Sequence, residues 1–131
     1  MRSPSSLVAR LLVMATALGA LLVVAAPAQP VSAGPICTSI ADLPFVSGSV
    51  VAARHTISCN APVATITVIG RLRLNNVLQS SQSVTCANTS FCYVYTRAPI
   101  QSGRWQAYTS GNTTGPNITL PVAASGYLSV P

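Results

Sequence analysis

The sequence predicts an all-β fold, a small immunoglobulin-like β-sandwich of seven or eight short strands that is stabilised by disulfides and preceded by a signal-peptide helix. Three observations support this class: apolar and polar residues alternate with a period of two, turn-forming residues separate the alternating stretches, and four cysteines lie in a short chain. Short alternating strands at regular spacing are typical of sandwiches. An open barrel is the alternative fold.

The amino-terminal segment, residues 1–33, has the organisation of a secretory signal peptide. A positively charged start is followed by an apolar run over residues 11–26, which is shorter than the ~20 residues of a membrane-spanning helix. The segment ends in Val-Ser-Ala, a small-x-small cleavage pattern, and a second such pattern ends at Ala28. We expect cleavage after Ala33, which leaves residues 34–131 as the secreted β-sandwich domain.

Two alternating stretches at the centre of the domain predict strands. In residues 51–59 the odd-numbered positions share one face, and in residues 65–74 the even-numbered positions do. Residues 60–62, Asn-Ala-Pro, are expected to interrupt the two stretches. His55 falls within the first strand and is expected to be a packed or hydrogen-bonded residue.

A tight turn and a hairpin tip are predicted next. Asn75-Asn76 suits a two-residue turn because Asn tolerates positive φ, and residues 77–85 would return as the partner strand. The segment from Cys86 to Cys92 is expected to form a hairpin tip. Further strands are predicted at residues 91–97, 104–110, 118–120 and 127–130, with loops at residues 98–103 and 111–117.

The cysteines, Cys37, Cys59, Cys86 and Cys92, predict a disulfide framework in an exported domain. We favour Cys37–Cys59 with Cys86–Cys92, because the second pair would cross a tip whose ends are already close. The alternative joins Cys59 to Cys86, a spacing like that of the inter-sheet bridge of immunoglobulin domains, and leaves Cys37 to reach Cys92.

The charged residues exclude several kinds of chemistry. The 131-residue chain has seven basic residues, all of them Arg, with Asp42 as its single carboxylate and one His. One carboxylate cannot form a general acid–base pair or an acidic metal cage, and a chain without Lys cannot form a Schiff base. The cysteines also lack the paired spacing of structural zinc sites. We therefore expect no enzyme activity, no catalytic residue, no metal site and no cofactor.

The candidate binding face combines arginine with tyrosine. Arg71 and Arg73 share the polar side of one predicted strand, while Tyr95 and Arg97 occupy alternate positions of another. If both strands belong to one sheet, these four residues form one exposed, positively charged face that suits acidic or sugar ligands. We expect Phe91, Tyr93 and Trp105 in the core. The alternative is that these aromatic residues are exposed as a flat array with the arginines, which could stack on sugar rings or meet an acidic partner.

The segment Cys86-Ala-Asn-Thr-Ser-Phe-Cys92, followed by Ser102-Gly103-Arg104-Trp105-Gln106-Ala107, resembles a hairpin and strand of small secreted actinobacterial immunoglobulin-like proteins of unassigned function. This resemblance covers residues 37–131 and implies the same fold. In size and cysteine count the chain is also similar to the Streptomyces subtilisin inhibitors. It lacks the cysteine that they place after the tryptophan strand, so no reactive-site residue is implied here.

These observations predict a secreted, extracellular, non-catalytic binding or interaction module at the cell envelope or outside the cell. Its expected partner is a cell-envelope polymer, a secreted protein or a second copy of the chain. Nucleic acid is not expected, because the arginines do not form a basic cluster, and neither is a membrane after signal cleavage. The alternative function is a small inhibitor of an extracellular hydrolase, with residues 97–101, Arg-Ala-Pro-Ile-Gln, as its exposed loop.

Overall fold

The computed structural model describes residues 34–114 and 118–131, and within these residues it contains seven strands and no helix. The strands are β1 (Cys37–Ala41), β2 (Phe45–Ser47), β3 (Val50–Leu74), β4 (Val77–Pro99), β5 (Gly103–Thr114), β6 (Ile118–Ala124) and β7 (Leu128–Val130). The all-β class is therefore confirmed. The predicted signal peptide, residues 1–33, lies outside the described residues, as do residues 115–117. No helix in the described ranges is long and apolar enough to cross a membrane.

The long hairpin of β3 and β4 belongs to both layers of the sandwich. The two strands pair antiparallel from Leu74 and Val77 at the turn to Val50 and Pro99 at the far end. On its other edge, the first half of β3 pairs with β1 and β2, and its second half pairs with β5. The β3–β4 register shifts between Ser58 and Val63, where the hairpin bends. The predicted interruption at residues 60–62 is thus a bend within one strand.

Each half of the hairpin lies in its own layer. The first layer contains β1 and β2, then the first half of β3, then the second half of β4. The second layer contains β6 and β7, then β5, then the second half of β3, then the first half of β4. These orders match strands A, B and E, and strands G, F and C, of an immunoglobulin-like sandwich. The predicted fold class is therefore confirmed, with strands B and C continuous as β3.

The core lies between the layers and is filled by alternating residues of both. One part of it packs Val51, Ala53 and Ala98 of the first layer against residues of the second layer, namely Leu72, Leu74, Trp105 and Ala107. The other part includes Ile57, Cys59 and Cys92 together with Val63, Ile66, Val68 and Leu120. Burial of each large apolar side chain contributes about 1.5–3 kcal/mol.

The two disulfides are confirmed, but one of them lies in an unexpected place. Cys37 of β1 is bonded to Cys59, its directly opposite partner on β3. Cys86 is bonded to Cys92 within β4, with their Cα atoms 5.9 Å apart. Six residues of straight strand would span about 20 Å. The predicted hairpin tip is therefore wrong: this disulfide closes the bend at which β4 passes from one layer to the other.

Candidate interaction surface

The sandwich has two outer faces, and the predicted binding residues are divided between them. Arg71 and Arg73 alternate with buried residues of the second layer, so they lie on its outer face. Tyr95 and Arg97 alternate with buried residues of the first layer and lie on the opposite outer face. The prediction of one shared face is wrong, because the bend carries the paired strands β3 and β4 from one layer into the other.

Three aromatic side chains form a row along the outer side of the first layer. Phe91, Tyr93 and Tyr95 of β4 are 46%, 51% and 36% exposed. Neighbouring ring centroids in this row are 5.7 and 5.9 Å apart. The expectation that Phe91 and Tyr93 belong to the core is wrong, whereas Trp105 is fully buried, as expected.

Two further apolar side chains extend this row across the layer. Thr56 of β3 lies between Ile40 of β1 on one side and Tyr93 of β4 on the other, so the three residues are level across the layer. By the same kind of pairing, Phe45 of β2 lies in line with Arg97 of β4. Ile40 and Phe45 are 41% and 44% exposed. We call five residues the aromatic face: Ile40, Phe45, Phe91, Tyr93 and Tyr95.

Ile40 and Phe45 were not among the sequence-predicted site residues. They lie in strands of five and three residues, β1 and β2, which are too short to show a clear alternation. The signal that could have identified Ile40 is the pairing of Cys37 with Cys59, since this disulfide places β1 next to β3. The three residues of β2 carry no such signal for Phe45.

Charged groups beside the aromatic face are largely neutralised. Arg54 Nε donates a hydrogen bond to Asp42 Oδ2 at 2.7 Å. This hydrogen bond, together with the charge of the carboxylate, raises the pKa of Arg54 above its usual value. The guanidinium of Arg97 lies 5.6 Å from the centroid of the Tyr95 ring, within the range of a cation–π contact. The Arg54–Asp42 pair, which lies level with Tyr95, therefore carries no net charge, and Arg97 is the cation beside the aromatic face.

The ring planes of the row are steeply inclined to one another. The planes of Phe91 and Tyr93 meet at 48°, and those of Tyr93 and Tyr95 meet at 86°. A sugar ring stacks flat on an aromatic ring, so a flat polysaccharide surface is best matched by aromatic rings that lie close to one plane. Because its rings are inclined, this face is uneven, and it matches the irregular side-chain surface of a protein better than a flat sugar polymer.

The outer face of the second layer is polar and rich in arginine. Arg73 lies over the ring of Tyr108 at 4.6 Å, and Arg104 lies over the ring of Tyr127 at 3.9 Å. Arg71 Nη1 donates to Ser110 Oγ at 3.4 Å. Each guanidinium thus covers one side of a tyrosine ring. Tyr127 is still 50% exposed, but the described residues of this face include no row of neighbouring aromatic rings.

His55 lies in the core, where it joins the two layers. Thr109 Oγ1 donates to the carbonyl oxygen of Ile40, so it accepts a hydrogen bond from Nδ1–H of His55 at 3.0 Å. Nε2 of His55 then accepts from Thr96 Oγ1 at 2.8 Å. Burial lowers the pKa of His55 to about 4. The expectation of a hydrogen-bonded, packed histidine is confirmed.

The described residues hold no group of three or more His, Cys, Asp or Glu side chains that could bind a metal ion.

The loop expected for an inhibitor is placed differently from the prediction. Arg97 to Pro99 belong to β4, and the amide of Ile100 donates to the carbonyl oxygen of Ser49 at 2.9 Å. Arg97 therefore lies on a paired strand, and the prediction that it stands on an exposed loop is wrong.

Comparisons with known proteins leave the family open. No family model matches the chain, and no curated protein matches it. Among solved structures, the chain is similar to the crystal structure of the CARDB domain of the PF1109 protein from Pyrococcus furiosus, a complex with di-metal ions. The two share 13% identity over 72% of this chain and 92% of that chain, with a TM-score of 0.46. The strand order and the packed layers establish the fold of this chain.

Proposed function

We propose that the chain is a secreted, non-catalytic interaction module that binds a protein partner through the aromatic face. The observation that supports this function is a set of five large apolar side chains, each 36–51% exposed, on one outer side of the sandwich, three of them in a row along β4. Contiguous exposed apolar patches on soluble domains are typical of interaction sites. Tyrosine is also enriched among the residues that contribute most to protein–protein binding.

The chemistry around the face favours binding over catalysis. Asp42 is bound to Arg54, and His55 is buried between the layers with both ring nitrogens hydrogen-bonded. Neither group is placed to exchange protons with a ligand on the aromatic face. The inclined rings favour a protein over a flat polymer as the ligand, for the reason given above.

Two features support an extracellular setting for this module. The disulfides Cys37–Cys59 and Cys86–Cys92 use all four cysteines, and such bonds persist in oxidising compartments. The amino-terminal segment, residues 1–33, has the charge and hydropathy pattern of a signal peptide.

The proposal is tested by capturing extracellular proteins on the immobilised full chain and on two single variants. Tyr93→Ser removes the central ring of the aromatic face. Tyr127→Ser is the matched control, because Tyr127 is 50% exposed and contacts Arg104 of the second layer. We expect one protein to be captured by the wild type and by Tyr127→Ser, and its capture to be lost with Tyr93→Ser.

The same capture assay shows how the proposal would fail. Equal recovery of the partner on all three forms would place its binding site elsewhere. Binding of the chain to purified cell-envelope polysaccharide, with no protein captured, would replace the proposed partner with a polymer. Hydroxyl-radical footprinting of the complex adds a direct measurement, since Tyr93 and Tyr95 should become protected when the partner is bound.

A further inference from the structure

We propose that two copies of the chain pair edge to edge through the second half of β4, with residues 91–97 of one copy antiparallel to the same residues of the other. This inference goes beyond the proposed function, because it concerns the backbone edge of β4 and a second copy rather than the protein that covers the aromatic face. The pairing would join the two aromatic faces into one continuous surface.

The edge that would pair is open along its length. Among the described residues, β4 hydrogen-bonds to β3 alone, so its other side has no neighbouring strand. Proteins usually protect such edges with charged residues, proline, bulges or very short strands. β4 has 23 residues, and its sequence contains neither a charged residue nor a proline until Arg97 and Pro99. The aromatic part of β4 therefore lacks these protective features.

The positions of the free backbone groups follow from hydrogen bonds on the other side of β3. The amide of Asp42 donates to the carbonyl oxygen of Arg54, so the backbone of Arg54 points away from β4. Tyr95 is directly opposite Arg54 on β4, and the pair is therefore a non-hydrogen-bonded one. The N–H and C=O groups of Tyr95 must then point to the open edge.

The same alternation applies along the strand. Phe91, Tyr93 and Arg97 share the direction of Tyr95, since N–H and C=O groups two residues apart point to the same side. The amide of Ile100 donates to the carbonyl oxygen of Ser49, as expected if the even-numbered residues of β4 face β3. The open edge therefore presents the backbone groups of the same residues whose side chains lie on the outer face. At Phe91 these groups are bound by the side chain of Thr89, whose Oγ1 accepts from the amide at 3.2 Å and donates to the carbonyl oxygen at 3.1 Å.

A two-fold axis at Tyr93 gives a self-complementary register. Tyr93 would lie opposite Tyr93 of the second copy, Phe91 opposite Tyr95, and Arg97 opposite the uncharged Thr89. Three facing pairs of this kind exchange about six hydrogen bonds. The four that involve Phe91 would replace its bonds to Thr89 Oγ1, so the two at Tyr93 are the ones gained outright. Cross-strand aromatic pairs contribute further stabilisation, and no like charges face each other. This match of the strand with itself favours a second copy, since two-fold interfaces require a surface that complements itself.

The first experiment measures the oligomeric state of the full, disulfide-bonded chain by sedimentation at several concentrations. We expect a dimer for the wild type and for Tyr127→Lys, the matched control on the second layer. Tyr93→Lys and Tyr93→Glu should each be monomeric, because two like charges would face each other across the axis. An equimolar mixture of these two variants should form a heterodimer. A wild type that stays monomeric, or a Tyr93→Lys variant that stays dimeric, would overturn the proposal.

The second experiment tests the register by cross-linking. Residues of a facing hydrogen-bonded pair have Cα atoms about 5.5 Å apart, within the range that a disulfide spans. Tyr93→Cys should therefore form a covalent dimer on mild oxidation. Tyr95→Cys should not, because the two copies of residue 95 would be offset by about 13 Å along the strands. Equal cross-linking of both variants would contradict this register.

The outcomes also separate this inference from the proposed function. A chain that is dimeric but captures no protein would support the edge pairing and contradict the proposed binding of a protein partner. The chain could instead be monomeric alone, with β4 amides that become protected from hydrogen exchange when a partner is bound. That result would overturn the proposed dimer and show that an extended segment of the partner pairs with β4.

Discussion

The imidazole ring of His55 lies against Gly70 and fills the space that a side chain at residue 70 would need. His55 belongs to the first half of β3 and Gly70 to its second half, so one strand meets itself across the core. Glycine at residue 70 is therefore what allows a buried ring at residue 55 and a close approach of the two layers.

Substitution of Gly70 by Ala should lower the free energy of unfolding. The new Cβ would overlap the His55 ring, and overpacking of this kind costs about 1–3 kcal/mol. Denaturation by urea measures the effect. Gly126→Ala is the control, because the nearest atom to its Cβ would be Leu43 Cδ1 at an ordinary contact of 3.6 Å. Equal stability of the two variants would contradict the packing described here.

Acidification should destabilise the fold through His55. Its pKa is about 4 in the folded chain, against a usual value of 6.5, so between these pH values the unfolded chain binds a proton that the folded chain does not. The contribution of His55 to the free energy of unfolding is fully present above pH 6.5. It falls by about 3 kcal/mol as the pH drops to 4 and changes no further below that. Unfolding free energies measured across this range should show the fall.

The control for this pH dependence is His55→Gln, which keeps a polar side chain at residue 55 but does not titrate. The chain has one His and one acidic side chain, so His55 is the main source of pH dependence in this window. The variant should be less stable than the wild type at neutral pH and nearly independent of pH in this window. A slope equal to that of the wild type would assign the dependence to another group.

Removal of the Cys37–Cys59 disulfide should cost more stability than removal of Cys86–Cys92. The bonded cysteines are 22 and 6 residues apart. Each disulfide stabilises the fold by lowering the conformational entropy of the unfolded chain. The chain-entropy relation gives about 3 kcal/mol for the longer loop and about 2 kcal/mol for the shorter one. Paired Cys→Ser substitutions at each disulfide, compared by chemical denaturation, measure the difference. The reverse order would show that the bend in β4 depends on its disulfide more than loop length predicts.

The turn between β3 and β4 should be improved by glycine at residue 76. Asn75 and Asn76 both have positive φ, 48° and 66°, as a type I′ turn requires. Asn76→Gly should leave stability unchanged or raise it, whereas Asn76→Val should lower it by about 1–2 kcal/mol because a β-branched residue is strained there. Thermal unfolding distinguishes the two, and Gln79→Val at an exposed position of β4 controls for the added apolar side chain.

Much of the local structure could be predicted because its causes are local. Alternation over residues 51–59 and 65–74 identified both halves of β3, and the tolerance of Asn for positive φ identified the turn at Asn75-Asn76. The predicted ends were less accurate. β5 continues to Thr114, into the loop predicted at residues 111–117, because residues 111–113 pair with both β3 and β6. Such pairing depends on neighbouring strands and has no signal in the segment itself.

The candidate site could be predicted only in part, since both sides of β4 offer apolar residues. Phe91, Tyr93 and Tyr95 point to one side, and Cys92, Val94 and Ala98 point to the other. Alternation shows that these are two sets but cannot show which set faces the core. The small second set is the one that packs against the other layer, and this leaves the larger aromatic set exposed.

Residue type and short-range spacing are enough to specify the all-β class, the disulfide-forming cysteines and the tight turn. The bend of β3 and β4 between residues 58 and 63 depends instead on tertiary packing, and it assigns every later residue to a layer. It separates Arg71 from Arg97, although both lie in one hydrogen-bonded sheet. A bend of this kind is stabilised by packing between distant strands, such as His55 against Gly70, and that packing exists only once the layers have met.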